Sequence, residues 1–213
     1  MYQPTNLAIE DRAISMPARD GETLIVKGDP CEHTLEIRSG IVRAVTYSRE
    51  GDRQIMAFFF PGELLGLPLA STHRYSAEAI TGVRYVRYSP QRFRASFAIH
   101  EFASEFVSRA IWHEEEAFIT RGLILGRVGV QARIAAFLRY LARRLPRTGG
   151  MLEFTIPQGD VASYLATSPE TVCRTLRRMR DERIIAMPRK DRLQILDDHR
   201  LDFLAEAGMN RAH

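Results

Sequence analysis

Residues 155–182 have the sequence TIPQGDVASYLATSPETVCRTLRRMRDE, which contains two short helical patterns separated by a turn. Ala166-Thr167 ends the first pattern. Ser168 is a favourable N-cap and Pro169 suits the first helical position, so a second helix should begin there. The apolar positions of the two helices are Val161, Ala162, Leu165, Val172, Leu176 and Met179. This spacing predicts a helix-turn-helix.

The second helix has a polar and basic outer face. In a helix-turn-helix, the outer residues near the start of the second helix reach the base edges of duplex DNA. Arg174 can donate two hydrogen bonds to guanine, and Glu170 can accept one from cytosine. The alternative is a surface helix on which Glu170 and Arg174 form an ordinary ion pair worth about 0.3 kcal/mol. The residues predicted to contact bases are Pro169, Glu170, Cys173 and Arg174.

Further polar and basic residues lie where phosphates would pass. The start of the second helix adds a dipole that favours anions. Two apolar runs, residues 184–186 and 193–195, flank the basic pair Arg189-Lys190 and predict a two-stranded wing. The residues predicted to contact the DNA backbone are Gln158, Thr167, Ser168, Thr171, Arg177, Arg178, Arg189 and Lys190.

The positive charge of the chain is concentrated in the same region. Residues 1–126 contain 14 Lys and Arg against 16 Asp and Glu, a net charge of −2. Residues 127–213 contain 16 against 10, a net charge of +6. A basic end on a nearly neutral body favours a polyanionic partner that binds at that end.

The composition is typical of a globular protein in a reducing compartment. Apolar residues make up 45% of the chain, and no run of them reaches the length of a membrane span. The first residues lack the pattern of a signal peptide, so we predict a cytoplasmic location. Cys31 and Cys173 are too few for a disulfide framework and lack metal-site spacing. We therefore predict two thiols, no metal site and no cofactor.

The region from residue 21 to residue 89 contains short strand patterns separated by turns. Gly28-Asp29-Pro30 and Pro61-Gly62-Glu63 are typical turn signals. Strands at such regular spacing predict a β-barrel or sandwich. The strand patterns cover residues 23–27, 35–38, 41–45, 54–60 and 75–88.

Residues 91–125 predict one long helix, and residues 130–144 predict another. A helix of about 30 residues would be about 45 Å long, more than a small domain can cover. It could lie across the barrel, or its second apolar stripe could pair with the same helix of another subunit. We favour pairing. The residues predicted for that interface are Phe106, Val107, Ile111 and Phe118.

Nearly the whole chain resembles the CRP/FNR family of transcription regulators. The resemblance rests on Glu170-Thr171-Val172 followed by Arg174, on residues 47–55 (YSREGDRQI) and on residues 60–67 (FPGELLGL). Residues 73–80 and 125–127 are similar to its FixK branch. The resemblance implies an α+β fold in three parts. These are a cyclic-nucleotide-binding-type β-barrel (jelly roll) at 1–97, a long dimerisation helix at 98–126 and a winged helix-turn-helix at 127–213.

The resemblance also implies partners. It implies a homodimer that binds a palindromic duplex, and contact with RNA polymerase through a hairpin tip at Arg49 and Asp52, although the tip could simply be a solvated loop. Pro169 replaces an additional base-contacting Arg of the nucleotide-binding branch, which favours a TTGAT-like half-site. Ala166 stands where the turn often has Gly, so a positive φ there would cost about 1 kcal/mol.

Two departures from the family pattern bear on the effector. Nucleotide-binding members have a Glu and an Arg where this chain has Leu67 and Tyr75. Without the Arg, a buried phosphate would lack a counter-charge, so we do not expect cyclic AMP to bind. Residues 1–30 contain no Cys, which excludes the family's N-terminally ligated iron–sulfur cluster.

Three alternatives remain at this point. A haem sensor could use His33, His73, His100 or His113, although no two of these have diagnostic spacing. A small molecule could bind inside the barrel. A barrel-type metalloenzyme would need a His-x-His ligand motif, which the chain lacks.

The role of Cys173 is also open. It could act only in packing or could regulate DNA binding through oxidation, which would add negative charge opposite the phosphates.

Overall fold

The computed structural model describes residues 14–89, 91 and 101–207, and for residues 101–106 it describes the backbone alone. The strands are β1 (Met16–Ala18), β2 (Thr23–Ile25), β3 (Thr34–Ser39), β4 (Val42–Tyr47), β5 (Arg53–Phe59), β6 (Leu64–Leu65), β7 (Ser76–Ala79), β8 (Val83–Tyr88), β9 (Arg147–Thr148), β10 (Met151–Glu153), β11 (Ile185–Arg189) and β12 (Arg192–Ile195). The helices are α1 (Glu101–Leu125), α2 (Val130–Arg144), α3 (Gln158–Tyr164), α4 (Pro169–Asp181) and α5 (Asp198–Glu206). The predicted α+β class is confirmed.

Two compact units make up the described chain. The first comprises the residues up to Val42 and those from Pro61 to Glu114. The second comprises Arg43–Phe60 and the residues from Glu115 onward. The division into three domains expected from the sequence stays a prediction.

The first unit is built on antiparallel strands. One sheet has the order β1-β8-β3-β6, and β2 pairs with β7 in a second sheet. In β8 the two arginines, Arg84 and Arg87, are exposed and the four other residues are buried, so buried side chains lie on both faces of this strand. Leu64, Leu67, Val86 and Tyr88 pack with Val107 and Ala110 of α1 in one apolar cluster.

A tight turn follows β6 because Gly66 has a φ of +74°. A Cβ at this position would lie 2.6 Å from Cδ1 of Ile25, so neither the backbone conformation nor the space suits another residue. The turn presents the backbone N–H groups of Gly66 and Leu67 to the interior of the unit.

Aromatic rings form the centre of the second unit. Phe58 of β5, Phe137 of α2 and Tyr164 of α3 have ring centroids 5.0–5.9 Å apart. Such ring pairs contribute about 0.5–1.5 kcal/mol each beyond the area that they bury. The β4–β5 hairpin is therefore part of the same core as the helices.

The winged part of the second unit has a sheet in the order β11-β12-β10-β9. The predicted helix at 130–144 matches α2, and the predicted wing matches β11 and β12. The β9–β10 hairpin was not predicted, because its strands are very short and its turn at Gly149-Gly150 resembles a simple helix end. Helix α5, also not predicted, is held to α2 by ion pairs from Arg139 to Asp198 and Asp202.

Candidate nucleic-acid interface

Helices α3 and α4 form the predicted helix-turn-helix. The Ser168 hydroxyl accepts a hydrogen bond from the Thr171 backbone N–H at 3.2 Å, and Pro169 occupies the first helical position. The apolar side of α4 is buried, with Val172, Leu176 and Met179 at most 4% exposed. These contacts confirm the cap and the inner face expected from the sequence.

The turn between the helices contains one strained residue and is stabilised by hydrogen bonds from two arginines. Ala166 has a φ of +50°, as anticipated for a position that commonly holds Gly. The Tyr164 carbonyl accepts a hydrogen bond from Nε of Arg121 at 3.1 Å, and the Leu165 carbonyl accepts one from Nη1 of Arg133 at 3.4 Å. Arginines from α1 and α2 thus satisfy carbonyls that the end of α3 leaves without helical partners.

The outer face of α4 is open to solvent. Pro169, Glu170 and Arg174 are exposed, and Cys173 is a half-buried free thiol. Within the described chain, the ion pairs of this helix join Arg178 to Glu182 and Arg180 to Asp181, and Glu170 forms none with Arg174. Hydrogen bonds from its own backbone N–H and from the Ser168 hydroxyl lower the pKa of Glu170, which favours the ionised carboxylate.

The residues predicted to contact phosphates lie on three elements of the second unit. Gln158 begins α3, and Arg189-Lys190 forms the tip of the wing. Thr167, Ser168 and Thr171 surround the start of α4, where the hydroxyls of the last two are 3.0 Å apart. Arg177 and Arg178 follow on α4 and are exposed. Arg178 differs from Arg177 because its guanidinium donates to Glu182, a carboxylate that also binds Arg200.

Sequence patterns missed one group of residues that supports the motif. Asp160, in the first turn of α3, is buried and accepts hydrogen bonds from Arg43 and Arg53 of the β4–β5 hairpin. The Ser163 hydroxyl accepts the backbone N–H of Ile55 at 3.0 Å. An acid in the first turn of a helix is ordinarily explained by the helix dipole, so only the long-range pairing could have disclosed its partners.

The residues predicted for a dimer interface face their own chain where they are described. Val107 is 3% exposed, Ile111 packs beside the same cluster, and the Phe118 ring lies 6.4 Å from that of Phe59. The side chain of Phe106 lies outside the described residues. Among the α1 residues from 107 onward, whose side chains are described, the exposed large apolar ones are Trp112, Ile119 and Leu123, each 58–65% exposed. Their spacing of seven and four residues places them on one face of the helix.

A small interior site lies in the first unit, beside the Gly66 turn. The Tyr75 hydroxyl accepts the Gly66 N–H at 3.0 Å and donates to Oε1 of Glu114 at 2.8 Å. Oε2 of Glu114 accepts the Leu67 N–H at 3.4 Å. Burial raises the pKa of Glu114 and of Tyr75. A cavity of about 210 Å³ adjoins these residues.

Two of the histidines considered as haem ligands, His33 and His73, line one cavity of about 510 Å³ in the first unit. Nδ1 of His73 lies 3.5 Å from Sγ of Cys31, and burial lowers the pKa of this imidazole. His33 and His113 are partly buried, and His100 lies outside the described residues. Among the residues that the structure describes, no group of three or more His, Cys, Asp and Glu side chains could hold a metal ion. None of the described helices is long and apolar enough to cross a membrane.

Hydrogen bonds to one serine side chain organise the hairpin tip that is predicted to contact RNA polymerase. The Ser48 hydroxyl accepts the backbone N–H groups of Glu50 and Asp52, at 3.1 and 3.2 Å. Arg49 and Asp52 are both exposed.

Comparison with known proteins identifies the family. The Crp-like helix-turn-helix domain matches residues 132–204, and the cyclic nucleotide-binding domain matches residues 16–100. A nitrogen fixation regulation protein FixK from Azorhizobium caulinodans is 31% identical over 195 residues, which cover 87% of this chain and 77% of that protein. The chain belongs to the CRP/FNR family. Within this family it is FixK-like, as the sequence resemblance implied.

Other relatives agree with this assignment. The transcriptional activatory protein AadR from Rhodopseudomonas palustris is 29% identical over 197 residues, covering 87% of this chain and 79% of that protein. The solved structure of FixK2 from Bradyrhizobium japonicum superposes with a TM-score of 0.84 at 26% identity, covering 91% of this chain and 97% of that one. This CRP/FNR-family chain is accordingly a transcription regulator and not an enzyme. Its fold is the predicted jelly roll and long helix followed by a winged helix-turn-helix.

Proposed function

We propose that this regulator binds a TTGAT-like palindrome as a homodimer and activates transcription there, without cyclic AMP or an iron–sulfur cluster. The observation that carries the proposal is the outer face of α4, where Glu170 and Arg174 are exposed and not paired with each other in the described chain. Arg174 is assigned to a guanine of the half-site and Glu170 to a cytosine. Arg177 and the wing tip at Arg189-Lys190 are assigned to phosphates.

The dimer is assigned to the exposed stripe of α1 formed by Trp112, Ile119 and Leu123. Three large apolar side chains on one helix face need a partner, and a parallel copy of α1 provides an identical stripe. This stripe is preferred to the residues predicted from the sequence, which lie about 100–140° around the helix from it, because Val107 and Phe118 already pack within their own chain. A two-fold axis along α1 would give each half-site one α4 helix.

Independence from cyclic AMP is supported by the interior site. Tyr75 stands where nucleotide-binding members have the phosphate-binding Arg, and its hydroxyl already bonds Gly66 and Glu114. A cyclic phosphate placed here would meet a carboxylate and a phenol, and no guanidinium from position 75.

The test is binding of a labelled duplex that carries two inverted TTGAT half-sites centred about 10 base pairs apart. The palindrome should bind at least about 10³-fold more tightly than a scrambled duplex at the same salt concentration. Added cyclic AMP should leave the affinity unchanged. Equal affinity for both duplexes, or binding only with cyclic AMP, would contradict the proposal.

Activation is assigned to contact between RNA polymerase and the exposed hairpin tip at Arg49 and Asp52. A chain with both residues replaced by Ala should bind the palindrome normally but transcribe poorly from a dependent promoter in a purified system. Unchanged transcription would remove the tip from the proposal.

A small-molecule sensor is the second candidate, and the cavity of about 210 Å³ lined in part by Cys31, His73 and Glu114 favours it. Freshly purified protein with a Soret absorption band would indicate haem. A metabolite released on denaturation and identified by mass spectrometry would indicate another effector.

A further inference from the structure

The side chain of Glu114 is a buried acid on an apolar helix face. It follows Val107 and Ala110 along α1, both of which pack against Leu64 and Leu67 of the first unit. A leucine at position 114 would continue this seam. Glu114 is instead 7% exposed, a placement that strongly disfavours an ionised carboxylate unless polar groups compensate for the lost water.

The groups that donate hydrogen bonds to Glu114 come from the Gly66 turn and Tyr75, and the charge of Arg74 also favours the ionised carboxylate. The Gly66 N–H donates to the Tyr75 oxygen, so the phenol proton points toward Oε1 of Glu114. The Leu67 N–H points toward Oε2. Both carboxylate oxygens therefore act as acceptors, which is the hydrogen-bonding pattern of the ionised form. The turn and the phenol therefore donate hydrogen bonds to Glu114 as they would to the anionic group of a bound ligand.

We propose that the Glu114 carboxylate takes the place of an effector at the Gly66–Leu67 turn. It binds Leu67 directly and Gly66 through Tyr75, and it thereby fixes α1 in the position required for DNA binding. This inference rests on the proposed ligand-independent function and explains it. In nucleotide-binding members, Leu67 and Tyr75 are replaced by residues that hold the effector. Here α1 itself supplies the acceptor group, so the hydrogen-bond donors of the turn and of Tyr75 have a partner without a small molecule.

Glu114 and Tyr75 act as positioning residues, because neither lies in the helix-turn-helix. α1 is a continuous helix from Glu101 to Leu125 and also carries the proposed dimer stripe. The contacts that restrain α1 at residue 114 therefore also restrain the stripe, because both lie on the same continuous helix. Loss of that hold should weaken palindrome binding without altering the residues that contact bases.

The test is chemical rescue of Glu114→Ala. This variant should bind the palindrome at least about tenfold more weakly than the wild type, within the usual range of coupling between separated sites. Acetate or formate at about 100 mM should restore much of the affinity by occupying the vacated space, relative to chloride at equal ionic strength. Circular dichroism verifies the fold of each variant.

Glu36→Ala is the matched control. Glu36 is another buried acid of the same unit that accepts a hydrogen bond from a tyrosine, Tyr88, but it lies on β3. Acetate should have no specific effect on its DNA affinity. If acetate restores neither variant, or both equally, Glu114 is only structural and the inference is overturned.

Glu114→Gln and Tyr75→Phe keep most of the side-chain volume, so they test the inference if Glu114→Ala does not fold. The amide of Gln cannot accept from both donors, and Phe cannot bridge Gly66 to Glu114. Both should lower palindrome affinity severalfold, and wild-type affinity in both would overturn the inference. Failure of the wild type to bind the palindrome without cyclic AMP would instead contradict the proposed function itself.

Discussion

Nη1 of Arg53 lies 3.0 Å from Oδ1 of Asp160, and this ion pair joins the start of β5 to the first turn of α3. Arg43 of β4 binds the other oxygen of the same carboxylate. At the other end of α3, Arg121 of α1 donates to the Tyr164 carbonyl. The first helix of the DNA-binding motif is therefore held at both ends by arginines from elements outside the motif.

Removal of the Asp160 carboxylate should destabilise the second unit. Asp160→Asn removes the negative charge that both Arg43 and Arg53 bind. The loss for a fully buried pair is about 3–5 kcal/mol, and the partial exposure of both guanidinium groups reduces it to about 1–3 kcal/mol. Thermal unfolding should shift downward by several degrees. Asp181→Asn, at the exposed end of α4, is the control and should leave the transition in place. Equal shifts in the two variants would disprove the role of this network.

Arg174 and Arg177 should respond differently to truncation. Arg174→Ala should cost about 1–3 kcal/mol on the palindrome and relax the preference at one guanine. Arg177→Ala should weaken specific and random duplexes alike and flatten the salt dependence. Arg180→Ala, in the last turn of the same helix, controls for the loss of one positive charge. An unchanged ratio of specific to random affinity in Arg174→Ala would remove this residue from base recognition.

Charges on the exposed stripe of α1 should separate the subunits. Ile119→Glu with Leu123→Glu places two carboxylates on each helix opposite their copies in the proposed dimer. Sedimentation should give a monomer, and palindrome affinity should fall to that of a scrambled duplex. The paired control is Gln at both positions, which is polar but uncharged and should give a weaker dimer. A doubly charged variant that remains a dimer places the interface elsewhere.

Relief of the strain at Ala166 should stabilise the chain. Its φ of +50° costs an L-residue about 1 kcal/mol, and glycine adopts this conformation freely. Ala166→Gly should therefore gain up to about 1 kcal/mol, less the additional freedom of glycine in the unfolded chain. Ala136→Gly, within α2, should lose about 0.5–1 kcal/mol and serves as the control for that effect. Urea unfolding measures the stability of both variants. A lower unfolding free energy for Ala166→Gly than for the wild type would contradict the strain argument.

The stability of the chain should depend on the ionisation of Glu114. Burial raises the pKa of this carboxyl above its ordinary 4.5, and hydrogen bonds from Tyr75 and Leu67 and the charge of Arg74 offset the rise only in part. The folded protein therefore holds a proton that the unfolded chain releases. The stability contributed by this group is present below about pH 4.5 and is lost as the pH rises through the folded pKa.

Glu114→Gln has no such ionisation, so its unfolding free energy relative to the wild type should increase as the pH rises above about 4.5 and then level off. Urea titrations across this range measure the difference. Parallel pH profiles for the two proteins would show that Glu114 titrates as it does in the unfolded chain.

Local sequence patterns were sufficient for the DNA-binding motif. The cap at Ser168 and the buried side of α4 depend on residues within a few positions of one another. The bounds of α2 follow from its periodic apolar side and the proline after it. Each of these features is set by backbone propensity and helical periodicity, which a single sequence displays.

Features that join distant segments were not predictable in this way. Asp160 and Arg53 are 107 residues apart in sequence, and nothing near either residue indicates the other. Both sides of α1 carry apolar residues, so periodicity alone did not indicate that Val107 faces its own core while Ile119 faces solvent. Glu114 resembled one of three consecutive surface acids until its burial was known.

The aromatic cluster of Phe58, Phe137 and Tyr164 also determines the order of events during synthesis. The β4–β5 hairpin leaves the ribosome more than a hundred residues before α3 does, since Arg53 and Asp160 are 107 positions apart. At about 5–20 residues per second, the hairpin waits about 5–20 s for the ring of Tyr164. The Phe58 ring lacks the ring of Tyr164 throughout that time, which favours aggregation or capture by chaperones. A nascent chain that stalls after α1 therefore presents the Phe58 ring without the two rings that it contacts in the complete chain.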